Sequence, residues 1–425
     1  MAVGSGCPWT THAEDRDRED SRAMMHLRRV GIRYRAGVLV TSAVSAVILL
    51  AGCSSSGGSS SSVAGPASTG GNGATSGSAD SASSSQASCV AAANAYVKPW
   101  EKIPTALPAD FTPLGSAPKP GGSIIRIVNG SIPTDVESGR QYAAIAKSFG
   151  WTGSYIVENG SVEDLNAKFQ QAISEHPTVI VTDGNPLSSV AQSVAAAKAA
   201  GIVVVLGSVL DEPESVPGFA AGENGGPVYK TLGVLQANLF MKASKCTGGV
   251  AIIDVNYPVL NAGTESFQAT VKAKCPSCSV TLTSLPAADI GTQAGVSQIV
   301  SLLESHPNIK YVYSIVAPVV DGLASALSQV GIQGVQIFGQ TPDNQAIAAL
   351  QNGTNAWWLT QSADLDSWMT TYAALRAIEE KKPVELVSNP VAILTPLNVP
   401  KNTTNPPTYP TDYAALFEQL VHASS

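Results

Sequence analysis

Short apolar runs alternate along the chain with Ala-rich stretches of helical spacing. The runs cover residues 124–128, 178–181, 202–206, 250–253, 280–285, 311–315 and 335–338, and the helical stretches include 188–200 and 323–330. Runs this apolar leave no polar face for water, so they suit parallel strands buried on both sides, with the intervening helices as covering layers. The expected fold class is α/β. The pattern also repeats. His176-Pro177 and His306-Pro307 each follow a helical stretch and precede a strand, Gly201-Ile202 and Gly331-Ile332 each end the next helix, and both pairs are offset by 130 residues. Two similarly wound lobes explain such an offset. The histidines need no chemistry, because a residue before proline is held extended and stops a helix.

The first 52 residues read as an address. Arg28, Arg29, Arg33 and Arg35 form a cationic flank, residues 36–51 form an apolar stretch too short for a comfortable span, and the stretch ends in Leu50-Ala51-Gly52-Cys53. That tetrad resembles the lipobox of bacterial lipoproteins, which implies lipidation of Cys53. Residues 1–23 place Glu14, Asp15, Asp17, Glu19 and Asp20 where a signal peptide carries base, so they read either as an unstructured cytoplasmic extension or as a start-site artefact ahead of a true start at Met24 or Met25. Residues 54–88 hold 15 Ser and 7 Gly among 35, too little apolar surface to offset ordering, and are expected to be a flexible tether. Folded structure is expected from a short helix over residues 91–100, followed by a Pro-rich lead-in to residue 121.

Composition narrows the function. The 425 residues carry 25 Lys plus Arg against 32 Asp plus Glu, with a mean hydropathy of +0.12. Beyond residue 52 the balance is 18 basic to 27 acidic, a net of −9. No basic stripe is available to neutralise phosphates, which argues against nucleic acid as a partner. Ser nucleophile elbows, phosphate loops and zinc-protease motifs are missing, and only His176, His306 and His422 follow the signal segment, so the chain is not expected to be an enzyme or to need a cofactor or metal.

The order of several motifs carries a family resemblance. Phe149-Gly150-Trp151 follows the first helix, residues 196–205 (AAKAAGIVVV) run into the fourth strand, Gly339-Gln340-Thr341-Pro342-Asp343 follows a later strand, and Gln361 follows Trp357-Trp358-Leu359-Thr360. From about residue 123 to 399 the chain resembles the type I periplasmic substrate-binding proteins of ABC importers, in the sugar-binding branch that includes the ribose-binding protein. Cys275-Pro276-Ser277-Cys278 followed by residues 287–292 (AADIGT) is similar to an actinobacterial lipoprotein subgroup of that branch. The resemblance implies two doubly wound parallel-sheet lobes joined by three crossovers, near residues 221–224, 361–364 and 384–387. Lobe one then comprises 122–222 with 362–386, lobe two 223–361 with 387–400, and 401–425 a tail in which 413–421 is a short amphipathic helix.

Ligands of such folds sit outside the carboxyl ends of the strands. That rule selects Asn129, Ser131, Glu158, Asp183, Asn185 and Ser208 in lobe one, and Asn256, Tyr257, Asn261, Gln340 and Gln361 from the other half. Asp321 and Asp343 read first as helix caps. Sugar-binding relatives place Asp-Arg, Arg and Asn-Asp where this chain has Gly207-Ser208, Asn261 and Val316-Ala317, and only Gln361 of their polar clamp is retained. Because unpaired hydroxyls cost about 1–3 kcal/mol each, the ligand is expected to be sugar-like or less polar. Tyr257 is placed to stack on it. Trp357 and Trp358 point to opposite faces of one strand, so one is expected in the lobe-two core and one under a helix, with cleft contact as the alternative.

Four cysteines lie beyond the presumed lipid site: Cys89, Cys246, Cys275 and Cys278. In an oxidising exterior they read as disulfide partners. Cys246 and the Cys275–Cys278 pair each precede a strand, and neighbouring strands start close together, so a bridge from Cys246 to Cys275 or Cys278 is expected. The functional expectation is a monomeric, lipid-anchored receptor on the outer face of the cell membrane that hands a small molecule to an ABC permease. The alternative is a sensory binding protein that passes a signal to a membrane kinase or receptor.

Overall fold

The computed structural model describes residues 77–422 apart from Ser131, so the signal peptide, the lipobox and the candidate Ser131 lie outside the described residues. Lobe one carries strands β1 (Ser123–Asn129), β2 (Thr152–Glu158), β3 (Val179–Asp183), β4 (Val203–Gly207), β5 (Phe219–Glu223) and β11 (Val384–Leu386), in the spatial order β11-β5-β4-β3-β1-β2. All its pairings are parallel. Its helices are α2 (Pro133–Ser148), α3 (Val162–Ser174), α4 (Leu187–Ala199) and α10 (Ala363–Glu380). Lobe two repeats the winding with β6 (Gly248–Asp254), β7 (Cys278–Ser284), β8 (Ile309–Ser314), β9 (Gln336–Gln340), β10 (Asn355–Leu359) and β12 (Ile393–Leu394), in the order β12-β10-β9-β8-β6-β7, with β12 antiparallel. Its helices are α5 (Gly226–Ala243), α6 (Pro258–Lys274), α7 (Gln293–Ser305), α8 (Leu323–Gln329) and α9 (Asn344–Gln351).

Each sheet is buried on both faces, as the unbroken apolar runs require. In lobe one Ile124, Val181 and Val205 pack under α2 and α10, while Ile125, Ile180 and Val204 pack with Leu165, Phe169 and Val194 of α3 and α4. In lobe two Ile253 and Val312 face Ile299 and Leu303 of α7, whereas Ile252, Tyr313 and Phe338 face Phe240 and Phe267 of α5 and α6. Trp357 and Trp358 divide between these two cores, so neither reaches solvent. The indole nitrogen of Trp357 donates to Gln236 Oε1 at 2.8 Å, which meets the donor that its burial would otherwise strand.

Two findings correct the sequence reading of the amino-terminal region. Helix α1 (Gly77–Val97) begins inside the expected tether. Its Ala93 and Val97 are buried in the lobe-two core, and Cys89 is bonded to Cys246, with Cys275 bonded to Cys278. The expected bridge between Cys246 and the later pair is therefore absent. Strand proximity does bring the chain together there, since Gly248 pairs with Cys278, but α1 lies against α5 and offers Cys89 first.

The lobes are also joined by more chain than three crossovers. Those three run from β5 to α5, from β10 to α10 and from β11 to β12. In addition, the lead-in leaves α1 on lobe two and buries Phe111 and Leu114 in lobe one, where Tyr372 Oη receives Thr112 N at 2.8 Å. The tail makes the same passage: Val399 is buried in lobe two, and Phe417 of α11 (Tyr413–His422) in lobe one.

Candidate functional site

The carboxyl ends of both sheets face the seam between the lobes, and lobe one presents an unusually acidic end. Arg126 sits in the middle of β1, only 2% exposed. A guanidinium there must be paired to be tolerated, and its Nη2 meets Asp135 Oδ1 at 2.6 Å and the carboxylate of Asp183. Tyr142 completes the enclosure, its ring centre 5.5 Å from the guanidinium carbon. Gly207 matters here for its missing side chain. A Cβ at that position would lie 2.0 Å from Asp183 Oδ1, so glycine opens the space into which the carboxylate turns. Beyond it lies Glu223, 1% exposed at the end of β5, with Asp366 from the first turn of α10 as its carboxyl neighbour. No N–H or O–H from the described residues reaches either Glu223 oxygen, so the two carboxyls hydrogen-bond only by sharing a proton. Burial and the facing acids push Glu223 well above the usual carboxylate range and Asp366 up to about 7.

Contacts across the seam come from three places. The Ser208 hydroxyl meets Tyr229 Oη of α5, which burial makes a weaker acid than usual. Gln361 Nε2 donates to Asn224 Oδ1 at 3.1 Å, and Thr341 Oγ1 donates to Gln361 Oε1 at 2.9 Å, tying two crossovers together. A Cβ built on Gly184 would stand 3.8 Å from Tyr257 Cε1, so the Tyr257 ring, 45% exposed, closes over the end of β3.

The sequence-selected residues separate accordingly. Asp183, Ser208, Tyr257 and Gln361 converge on the seam. Asn129 closes the loop after β1, its N–H donating to Asp135 Oδ2 at 2.6 Å. Glu158 is 3% exposed and accepts from Gly160 N, and Asn185 donates back to Asp183 O at 2.9 Å, so both shape their own turns. In lobe two the amide of Asn261 is oriented to donate to Tyr257 O at 3.1 Å and Asp254 Oδ1 at 3.0 Å, while Asn256 N donates to Asp254 Oδ2 at 3.1 Å. Gln340 lies fully buried against Tyr313, away from solvent. Asp343 caps α9 through Ala346 N at 2.8 Å. Arg126, Asp135, Glu223, Tyr229 and Asp366 were not singled out from the sequence. A lone arginine inside the apolar run 124–128 is the one signal that marks a buried ion cluster there.

A sequence model of the periplasmic binding protein domain matches residues 132–382, more than half of the chain. The chain belongs to the periplasmic binding protein family. That family binds solutes and does not catalyse, in keeping with the absence of catalytic motifs from the sequence. The fold is shared with solved sugar-transport proteins at low identity. A solute-binding protein of an ABC transporter from Burkholderia graminis, in complex with D-arabinose, superposes with a TM-score of 0.58 at 19% identity, covering 68% of this chain and 100% of that one. The glucose-galactose binding protein GanP of Geobacillus stearothermophilus gives 0.56 at 17%, covering 66% and 100%. A solute-binding protein from Bacillus halodurans with bound myo-inositol gives 0.55 at 17%, covering 67% and 97%. No curated protein matches this chain in sequence. Within the family fold, a wide depression of about 570 Å³ lies in lobe two between α8 and α9. No described helix is long and apolar enough to cross a membrane.

Proposed function

We propose that this periplasmic binding protein is a lipid-anchored, extracytoplasmic receptor that closes its two lobes on a small polyhydroxylated molecule and delivers it to an ABC permease. The observation that carries the reading is the convergence of polar groups from both lobes at the seam, Asp183, Ser208, Tyr257 and Gln361, set around crossovers that can hinge. An aromatic face beside hydroxyl and carboxylate acceptors suits a ring with an apolar face and hydroxyl edges. The D-arabinose, D-allose and myo-inositol bound in solved proteins of this fold support the same class.

Charge narrows it further. Acidic side chains crowd the end of lobe one, and the guanidinium among them, Arg126, is already engaged by Asp135 and Asp183, so an anionic ligand would meet no free cation there and would be repelled in a poorly screened cleft. The expected ligand is a neutral sugar or polyol. Calorimetric titration of the full chain with D-arabinose, D-allose, D-galactose and myo-inositol, each beside its acid derivative where one exists, tests this. Binding of a neutral member with no detectable binding of its acid is the expected result, and preference for an acid would overturn it. Cys53→Ser is expected to move the protein from the membrane to the soluble exported fraction, and deletion of the gene to abolish uptake of the ligand so identified.

A further inference from the structure

The four exported-side cysteines form one cluster. The sulfurs of Cys89, Cys246 and Cys275 all lie within 4.8 Å of one another, although Cys275 is bonded elsewhere, to Cys278. Cys275 and Cys246 are 1% and 2% exposed, whereas Cys278 and Cys89 are both half-buried and reachable from solvent. The Cys275–Cys278 bridge closes a loop of sequence separation 3 at the carboxyl end of α6 and the start of β7, on the surface of lobe two. The Cys89–Cys246 bridge, with separation 157, ties α1 to that lobe.

We propose that Cys278 is a site of attack by small thiols and that the attack relocates the second disulfide, freeing α1 from its covalent tie to lobe two. The thiolate of a low-molecular-weight thiol bonds to Cys278 Sγ, the Cys275–Cys278 bond breaks, and Cys275 leaves as thiolate. Cys275 Sγ then bonds to Cys246 Sγ, the Cys89–Cys246 bond breaks, and Cys89 leaves as thiolate and takes a proton from water. One thiol is consumed and one protein thiol appears, with the number of disulfide bonds among the sulfurs unchanged. The direction follows from burial. A thiolate in apolar surroundings at a helix carboxyl end is destabilised and strongly nucleophilic, so buried Cys275 attacks, and the better-solvated Cys89 is the better leaving group. The product joins Cys246 and Cys275, which lie just before the paired starts of β6 and β7, Gly248 beside Cys278, so it needs no rearrangement of the sheet.

The test uses the full chain carrying Cys7→Ser and Cys53→Ser, which leaves these four as its cysteines. A brief exposure to glutathione is quenched with iodoacetamide, and the disulfides are mapped by mass spectrometry without reduction. The expected map shows alkylated Cys89, a Cys246–Cys275 link and glutathione on Cys278. Alkylation of Cys275 with Cys89–Cys246 intact would overturn the proposal. Replacing both Cys275 and Cys278 by Ser should slow the release of Cys89 at least about tenfold, because external thiol must then attack the buried Cys246 sulfur directly; an unchanged rate would overturn it. A single Cys278→Ser variant, which starts with Cys275 as a free thiol, should yield the Cys246–Cys275 link and a free Cys89 without added thiol. Its isolation with Cys89–Cys246 intact and Cys275 free would overturn the relay as well.

Discussion

Replacing Asp366 with Asn keeps the size of the side chain and removes one of the two carboxyls that share a proton at the end of β5. Burial and the acids around it raise Asp366 from the ordinary 3.8 to about 7. An acid held above its unfolded value binds its proton more tightly in the native state. Its contribution is therefore fully present below about pH 4, lost progressively as pH rises through about 7, and absent above. Three pH units at about 1.4 kcal/mol each set a ceiling on the order of 4 kcal/mol, and partial exposure of Asp366 toward the seam brings the expected effect to about 2 kcal/mol. Asn carries no such penalty and its amide can donate to Glu223. The variant should match the wild type at pH 4 and exceed it by about 2 kcal/mol at pH 8, read from urea unfolding of the full chain at pH 4, 6 and 8. Stability curves of the two proteins that run parallel across that range would refute the shared-proton account.

Arg126→Met should be among the most damaging single changes, costing about 3–5 kcal/mol, because Asp135 and Asp183 would be left buried without a counter-charge; Asp183→Asn in the same chain should recover part of that loss in urea unfolding. Gly207→Ala drives a methyl group to within 2.0 Å of Asp183 Oδ1 and should lower the melting temperature and weaken ligand binding together, both measurable on one preparation. Tyr257→Ala should do the opposite: stability within about 0.5 kcal/mol of the wild type, since the ring is half exposed, with ligand affinity reduced about tenfold in calorimetric titration through loss of the stacking face. Equal affinity in that variant would remove Tyr257 from the site.

The strands that the sequence makes most legible are those buried on both faces. Residues 124–128 and 250–253 are apolar at almost every position because helices cover both sides, and they became β1 and β6. The edge strand β2 has no such run, since most of its side chains are exposed. Helix α1 was illegible for a different reason. Ser, Gly and Ala composition describes a chain that cannot bury itself, and here the burial is supplied from outside by α5 and by a disulfide 157 residues away. Topology alone put strand-end residues such as Asp183, Ser208 and Tyr257 at the seam. Gln340 did not come with them, because its side chain turns under the sheet toward Tyr313.

By itself the sequence determined the α/β class and the duplication into two lobes, since these depend on local periodicity and on the order of elements. Only the tertiary structure decided which sulfur bonds to which, that Gln361 holds two crossovers together, and that the carboxyls of Glu223 and Asp366 are buried side by side. Those outcomes depend on distances between residues far apart in the chain, where a shift of an ångström or two separates a bond, a hydrogen bond or an ion pair from no interaction.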